Sequence, residues 1–131
     1  MSTHHFHAVV WIDHREARLF EFNADDVQSL VIHAHGGRQV HHKAGAIGGG
    51  KSPEDTAFFK AVGAALHPVG EVLVVGPGAA KTQLVKWLAA HDHAAAEKIV
   101  AVESADHPTD GQIVAHARKY FERTDRMRPQ H

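Results

Sequence analysis

Four consecutive apolar residues, Val72, Leu73, Val74 and Val75, run directly into Gly76, Pro77 and Gly78, and then into a segment with Leu84, Val85 and Leu88 at helical spacing. That combination narrows the choice of fold more than any other stretch. An unbroken apolar run suits a strand covered on both faces, in the interior of a sheet that carries helices. Gly and Pro break the strand, and the helical period that follows marks one buried stripe. The segment predicts a strand over 71–75 and a helix over 79–91, joined by a tight turn.

The flanking sequence extends this unit in both directions. Residues 6–12 and 16–22 read as two strands joined by the polar turn Asp13, His14 and Arg15, which fits a hairpin. In the second, Ala17, Leu19 and Glu21 alternate with Arg18, Phe20 and Phe22, so neither face is marked as the buried one. A third strand, 27–35, places Gln28, Leu30, Ile32 and Ala34 on one face and Val27, Ser29, Val31, His33 and His35 on the other. Residues 36–51 hold six glycines and form a loop that is long for a compact domain, the kind that carries function. A first helix starts at Ser52, with Pro53 in its first position and Asp55 where a capping-box carboxylate belongs; Phe58, Val62, Ala65 and Leu66 form its stripe. After the second helix come an Ala-rich connection over 94–98, a fifth strand over 99–102 and a third helix over 109–121. Thr109 and Gln112 cap that helix, and Ile113, Ala117, Tyr120 and Phe121 line it. The order βββαβαβα predicts an α/β fold, a mixed five-stranded sheet with a meander followed by two parallel strands and with helices packed over it. This is the ribonuclease-H-like arrangement.

Length and composition set the outer limits. At 131 residues the chain makes one domain, assigned to 1–124, with a basic tail over 125–131 expected to be flexible. No apolar run approaches the ~18 residues of a membrane span, and the start lacks the plan of a signal peptide, so the expected location is cytoplasmic. With no cysteine, disulfides, thiolate zinc sites and thiol catalysis are excluded. The net charge of −1 argues against coating nucleic acid by bulk charge. Locally, Arg118, Lys119, Arg123, Arg126 and Arg128 outweigh Glu122 and Asp125 and give the nearly neutral body a basic end.

The strand, the Gly-Pro-Gly turn, Lys81 three residues beyond it and the helix that follows are similar to the middle domain of Pelota and of the archaeal and eukaryotic class-one peptide release factors. The resemblance extends over about residues 6–122, through the three opening strands, the Gly-rich loop bearing His and Lys, and the last strand and helix. Stand-alone bacterial chains of this kind are described as translational machinery proteins. The resemblance implies the ribonuclease-H-like fold and a non-enzymatic, cofactor-free factor that binds the ribosome or ribosomal RNA in stalled, stressed or resting translation. In release factors the loop between the third strand and first helix carries a Gly-Gly-Gln motif that promotes hydrolysis of peptidyl-tRNA. Here Gly48, Gly49 and Gly50 are followed by Lys51, and Gly36, Gly37, Arg38 and Gln39 come near the motif but are interrupted by Arg38. Peptide release is therefore not expected, because positioning the attacking water needs the right group within hydrogen-bond reach. Pelota also lacks the glutamine, so ribosome association survives its loss.

The candidate RNA-binding residues are Arg38, His41, His42, Lys43 and Lys51 on the loop, Lys81 beside the free amides of the second helix, and Arg118, Lys119 and Arg123 at the basic end. No catalytic residue or metal ligand is assigned. The turn before Lys81 and Thr82 departs from the nucleotide-binding P-loop at Val75 and Ala80, where that motif needs glycine. The alternative reading is a small metal-dependent hydrolase or nuclease, built on Asp13 at the end of the first strand and on the pairs His5/His7, His33/His35 and His91/His93. On a strand such spacing turns both rings to one face.

Overall fold

The computed structural model describes residues 7–34 and 53–127, and the side chains of 7–34 and 56–124. The chain forms β1 (His7–Ile12), β2 (Glu16–Phe22), β3 (Val27–His33), α1 (Pro53–Leu66), β4 (Glu71–Gly76), α2 (Ala80–His91), α3 (His93–Ala96), β5 (Ile99–Ser104) and α4 (Asp110–Met127). The strands lie in the order β3-β2-β1-β4-β5. β1 and β2 pair antiparallel, as do β2 and β3, whereas β1, β4 and β5 run parallel. The expected mixed five-stranded sheet is present, and β4 is covered on both faces as its apolar run requires.

Alternation along the strands divides the core into two layers. Val10, Leu19 and Val74 share a face with α1, α2 and α3, where Phe58, Val62, Leu66, Leu84 and Leu88 are buried. Val9, Trp11, Phe20, Phe22, Leu73 and Val75 lie on the other face, under Ile113, Ala117 and Phe121 of α4. Both faces of β2 are thus buried, which is why its alternation marks neither. The α1 and α2 layer is tight: a Cβ on Gly63 would lie 2.8 Å from both Leu88 Cδ2 and Asp92 Oδ2.

Several boundaries differ from expectation. β3 ends at His33, one residue pair beyond which the Ala34 amide still donates to the Arg15 carbonyl at 2.8 Å in the same register. The Ala-rich connection contains α3, one turn nucleated by Asp92, whose side chain accepts from the Ala95 amide at 3.3 Å. β5 continues to Ser104, and α4 runs past Phe121 to Met127, so the tail assigned to 125–131 begins within α4 and its last four residues lie outside the described ones. The capping box forms as predicted: the Gln112 amide donates to Thr109 Oγ1 at 3.1 Å, and the Thr109 amide donates to Gln112 Oε1 at 2.9 Å. The predicted capping residues of α1, Ser52 and Asp55, lie outside the described side chains.

Asp92 also ties α3 to the end of α1, with His67 Nε2 3.0 Å from each carboxylate oxygen. The His67 hydrogen bond holds the Asp92 carboxyl below its usual range against partial burial, helped by the Ala95 amide and the charges of His67 and His93. A carboxyl depressed in the folded state stabilises it above the unfolded value, about 4, and that contribution is lost as pH falls through the folded value. Thermal melts should therefore lose less as pH falls below about 4 in His67→Ala than in the wild type. Equal acid slopes in the two proteins would refute the linkage.

Candidate nucleic-acid interface

The carboxyl ends of the parallel strands β1 and β4 build one edge of the sheet, the place where open α/β sheets present ligand-binding loops. Gly76, at φ 155°, ends β4 within contact of the Ile12 backbone, and Gly78, at φ 63°, completes the turn into α2. Residue Ala79 offers α2 no side-chain cap, which leaves first-turn amides without a side-chain partner. Lys81 Nζ folds back to donate to the Gly78 carbonyl, so this cation braces the turn. Across β1, Asp13 Oδ1 accepts from the amides of Arg15 at 2.8 Å and Glu16 at 3.0 Å, and this leaves His14 and Arg15 exposed at the hairpin tip. Arg38, His41, His42, Lys43 and Lys51 lie outside the described residues. The chain leaves the described sheet at Ala34, bonded to Arg15, and therefore departs from this same edge.

The remaining predicted cations are elsewhere. Arg118 Nη2 donates to the carbonyls of Asn23 at 3.1 Å and Asp26 at 3.4 Å, and its guanidinium lies 5.5 Å from the centre of the Phe22 ring. It fastens α4 to the β2–β3 turn. Lys119 and Arg123 are exposed, one helical turn apart. The β2–β3 turn is at the opposite end of the sheet from Lys81, about 20 Å away along β1, and α4 is on the opposite face. The structure therefore separates Lys81 from Arg118, Lys119 and Arg123.

A polar network beside the carboxyl edge was not foreseen. Trp11 Nε1 donates to the Asp106 carbonyl at 2.9 Å, the His107 ring lies 5.2 Å from the Trp11 ring, and the Arg18 guanidinium is 5.1 Å from it on β2. Arg18 also bonds Glu16 at 2.9 Å and Asp110 at 3.0 Å. The Glu16 hydrogen bond leads the causes that raise its pKa above the usual value, against desolvation. His116 Nε2 meets Glu103 Oε1 at 2.7 Å. Of these residues, Glu103, Asp106, His107 and His116 line a cavity of about 530 Å³ together with Val75 and Gln112. Its acidic lining disfavours phosphate. The spacing of Glu16 and Arg18 on one strand face was a readable signal; Asp110 and Trp11 come from distant parts of the chain and left none.

For the hydrolase alternative, Asp13 holds the hairpin turn, with its second oxygen 4.0 Å from His107 Nε2. Among the described residues no group of three or more His, Asp or Glu side chains is placed to hold a metal ion. His91 stacks on Trp87 at 4.6 Å, and His33 Nδ1 lies 3.9 Å from Glu16 Oε1; His5 and His35 are outside the described residues.

Among the described residues, a five-stranded mixed sheet with α4 on one face and α1 to α3 on the other defines an α/β domain. Among solved structures, the chain is similar to Archaeoglobus fulgidus Pelota, with 16% identity and a TM-score of 0.60 over 86% of this chain and 30% of that one. It is similar to S. cerevisiae Dom34, a translation termination-like factor, with 10% identity and a TM-score of 0.56 over 88% and 33% of the two chains. An archaeal translation termination factor, aRF1, matches with 16% identity and a TM-score of 0.51 over 92% and 38%. No protein-family model and no curated protein matches the sequence significantly. The chain spans about a third of the length of these solved neighbours, and at such identities the likeness is one of fold. The fold expected from the resemblance is the fold observed. No helix among the described residues is long and apolar enough to cross a membrane.

Proposed function

We propose that this chain is a non-enzymatic, cytoplasmic, translation-associated factor that binds the ribosome or its RNA, in stalled, stressed or resting translation and without a working Gly-Gly-Gln motif. The observation that carries this reading is the fold likeness over most of the chain to several translation factors, one of them described as acting in RNA quality control pathways. The contacts belong to the carboxyl edge, where Lys81, Arg15 and the start of α2 adjoin the exit of residues 35–52, with Lys119 and Arg123 as a separate second contact. Cations on a loop reach phosphate oxygens without needing base readout, which suits a surface of folded RNA.

Co-sedimentation with ribosomes at increasing salt tests the reading. Binding should weaken steadily with salt, and Lys43→Ala with Lys51→Ala should lower affinity and flatten the salt slope by at most about two units, with unchanged melting. Absence of co-sedimentation at low salt would defeat the proposal. Unchanged binding in the double variant would remove the loop from the contact surface.

A further inference from the structure

β3 closes one side of the sheet, and no described strand pairs with its outer edge. Six of its seven residues are exposed and the seventh, Ile32, is partly so, with Leu30 and Val31 each about half accessible at 47% and 48%. Edge strands are normally protected by charge, proline, bulges or shortness. β3 has none of these. It contains no Lys, Arg, Asp, Glu, Pro or Gly, and its register with β2 is unbroken over seven pairs. The opposite edge, β5, is protected: it carries Glu103, and its pairing with β4 shifts register after Val72.

We propose that β3 is a homodimer interface, at which two copies of this chain pair β3 antiparallel about a two-fold axis through Val31 and join their sheets into one. The sequence of β3 fits a copy of itself at this register. Val31 faces Val31 of the second copy, Leu30 faces Ile32, Ile32 faces Leu30, and Ser29 faces His33. Every apolar residue of the central rungs meets an apolar one, and no charged side chains oppose each other; directly opposed apolar pairs are the favourable unit of sheet pairing. Residues opposite one another in an antiparallel pair point to the same face, so Leu30 and Ile32 of both copies extend the α1–α3 face and the two Val31 side chains extend the α4 face. The interface is isologous and closes at two subunits. The candidate carboxyl edge stays open, because the strands meet side by side rather than end to end.

Sedimentation velocity of the full chain over a concentration series should show a dimer. Val31→Lys sets two cations face to face at the axis and should weaken association about tenfold or more, with the melting of the fold retained. Because the chain lacks cysteine, Val31→Cys gives a second readout. Opposed Cα atoms in an antiparallel pair lie about 4.5–5.5 Å apart, inside the span of a disulfide, so mild oxidation should cross-link this variant. Val27→Cys would place its thiols about 25 Å apart and should not cross-link. A monomer at every concentration whose Val31→Cys form stays uncross-linked would overturn the proposal and leave the edge to residues 35–52 or to a strand of another protein. A dimer indifferent to Val31→Lys would overturn it equally, by placing association on another surface.

Discussion

Gly76→Ala should cost about 3–5 kcal/mol of stability, close to the limit a domain of this size tolerates. A Cβ at this position would lie 2.2 Å from the Ile12 carbonyl oxygen, 3.2 Å from its carbon and 3.3 Å from the Ile12 nitrogen. These are backbone atoms of the central strand. They cannot move aside without breaking the parallel register that runs from His7 opposite Glu71 to Trp11 opposite Val75. Gly76 also holds φ at 155°, where side chains with a Cβ are strained, and its carbonyl accepts from the Ala105 amide at 3.0 Å, anchoring the segment after β5. Gly78→Ala is the control: φ is 63°, but nothing lies within 4 Å of its added Cβ, so only the conformational term of about 1–2 kcal/mol is lost. Urea unfolding of both variants checks the contrast. A Gly76→Ala protein as stable as Gly78→Ala would contradict the close approach of β4 to β1.

The strand-turn-helix around Gly76 was legible because its signals are local. The apolar run 72–75, the two glycines and the stripe of Leu84 and Leu88 each report on their own neighbours, and so does the capping box of Thr109 and Gln112. The short helix α3 was missed because its nucleus is a single Asp92 side chain whose orientation depends on His67, just past the end of α1. Arg118 shows the same limit in the candidate interface. By composition it belongs to a basic patch, yet its guanidinium is engaged by the Asn23 and Asp26 carbonyls once α4 crosses the sheet. Trp11, His107 and Asp110 could not be joined from sequence either, because β1 and the start of α4 are separated by most of the chain. Charge on a helix is readable from sequence; whether the fold consumes that charge internally is not.

Trp11→Ala should be the other severe change, at about 3–5 kcal/mol, and it tests how the fold supports the carboxyl edge. The side chain is 1% exposed and packs among Val9, Phe20, Leu73, Val75 and Ile113, so truncation leaves a large cavity between the sheet and α4. It also deprives the Asp106 carbonyl of its 2.9 Å donor and removes the ring that Arg18 and His107 lie against. Trp11→Phe separates the two effects. Phenylalanine keeps most of the buried area but cannot donate, so the loss should fall to about 1–2 kcal/mol, the sum of one hydrogen bond and a smaller cavity. The protein has two tryptophans, so the Phe variant also isolates Trp87 as a fluorescent reporter of the α1–α2 layer. Hydrogen exchange supplies the decisive readout. In Trp11→Phe, protection should fall selectively at the Ala105 amide, which donates to the Gly76 carbonyl next to the Asp106 carbonyl that Trp11 holds, while the amides of β4 stay near the global limit. Uniform loss of protection would show that Trp11 supports only the core, with no separate hold on the segment between β5 and α4.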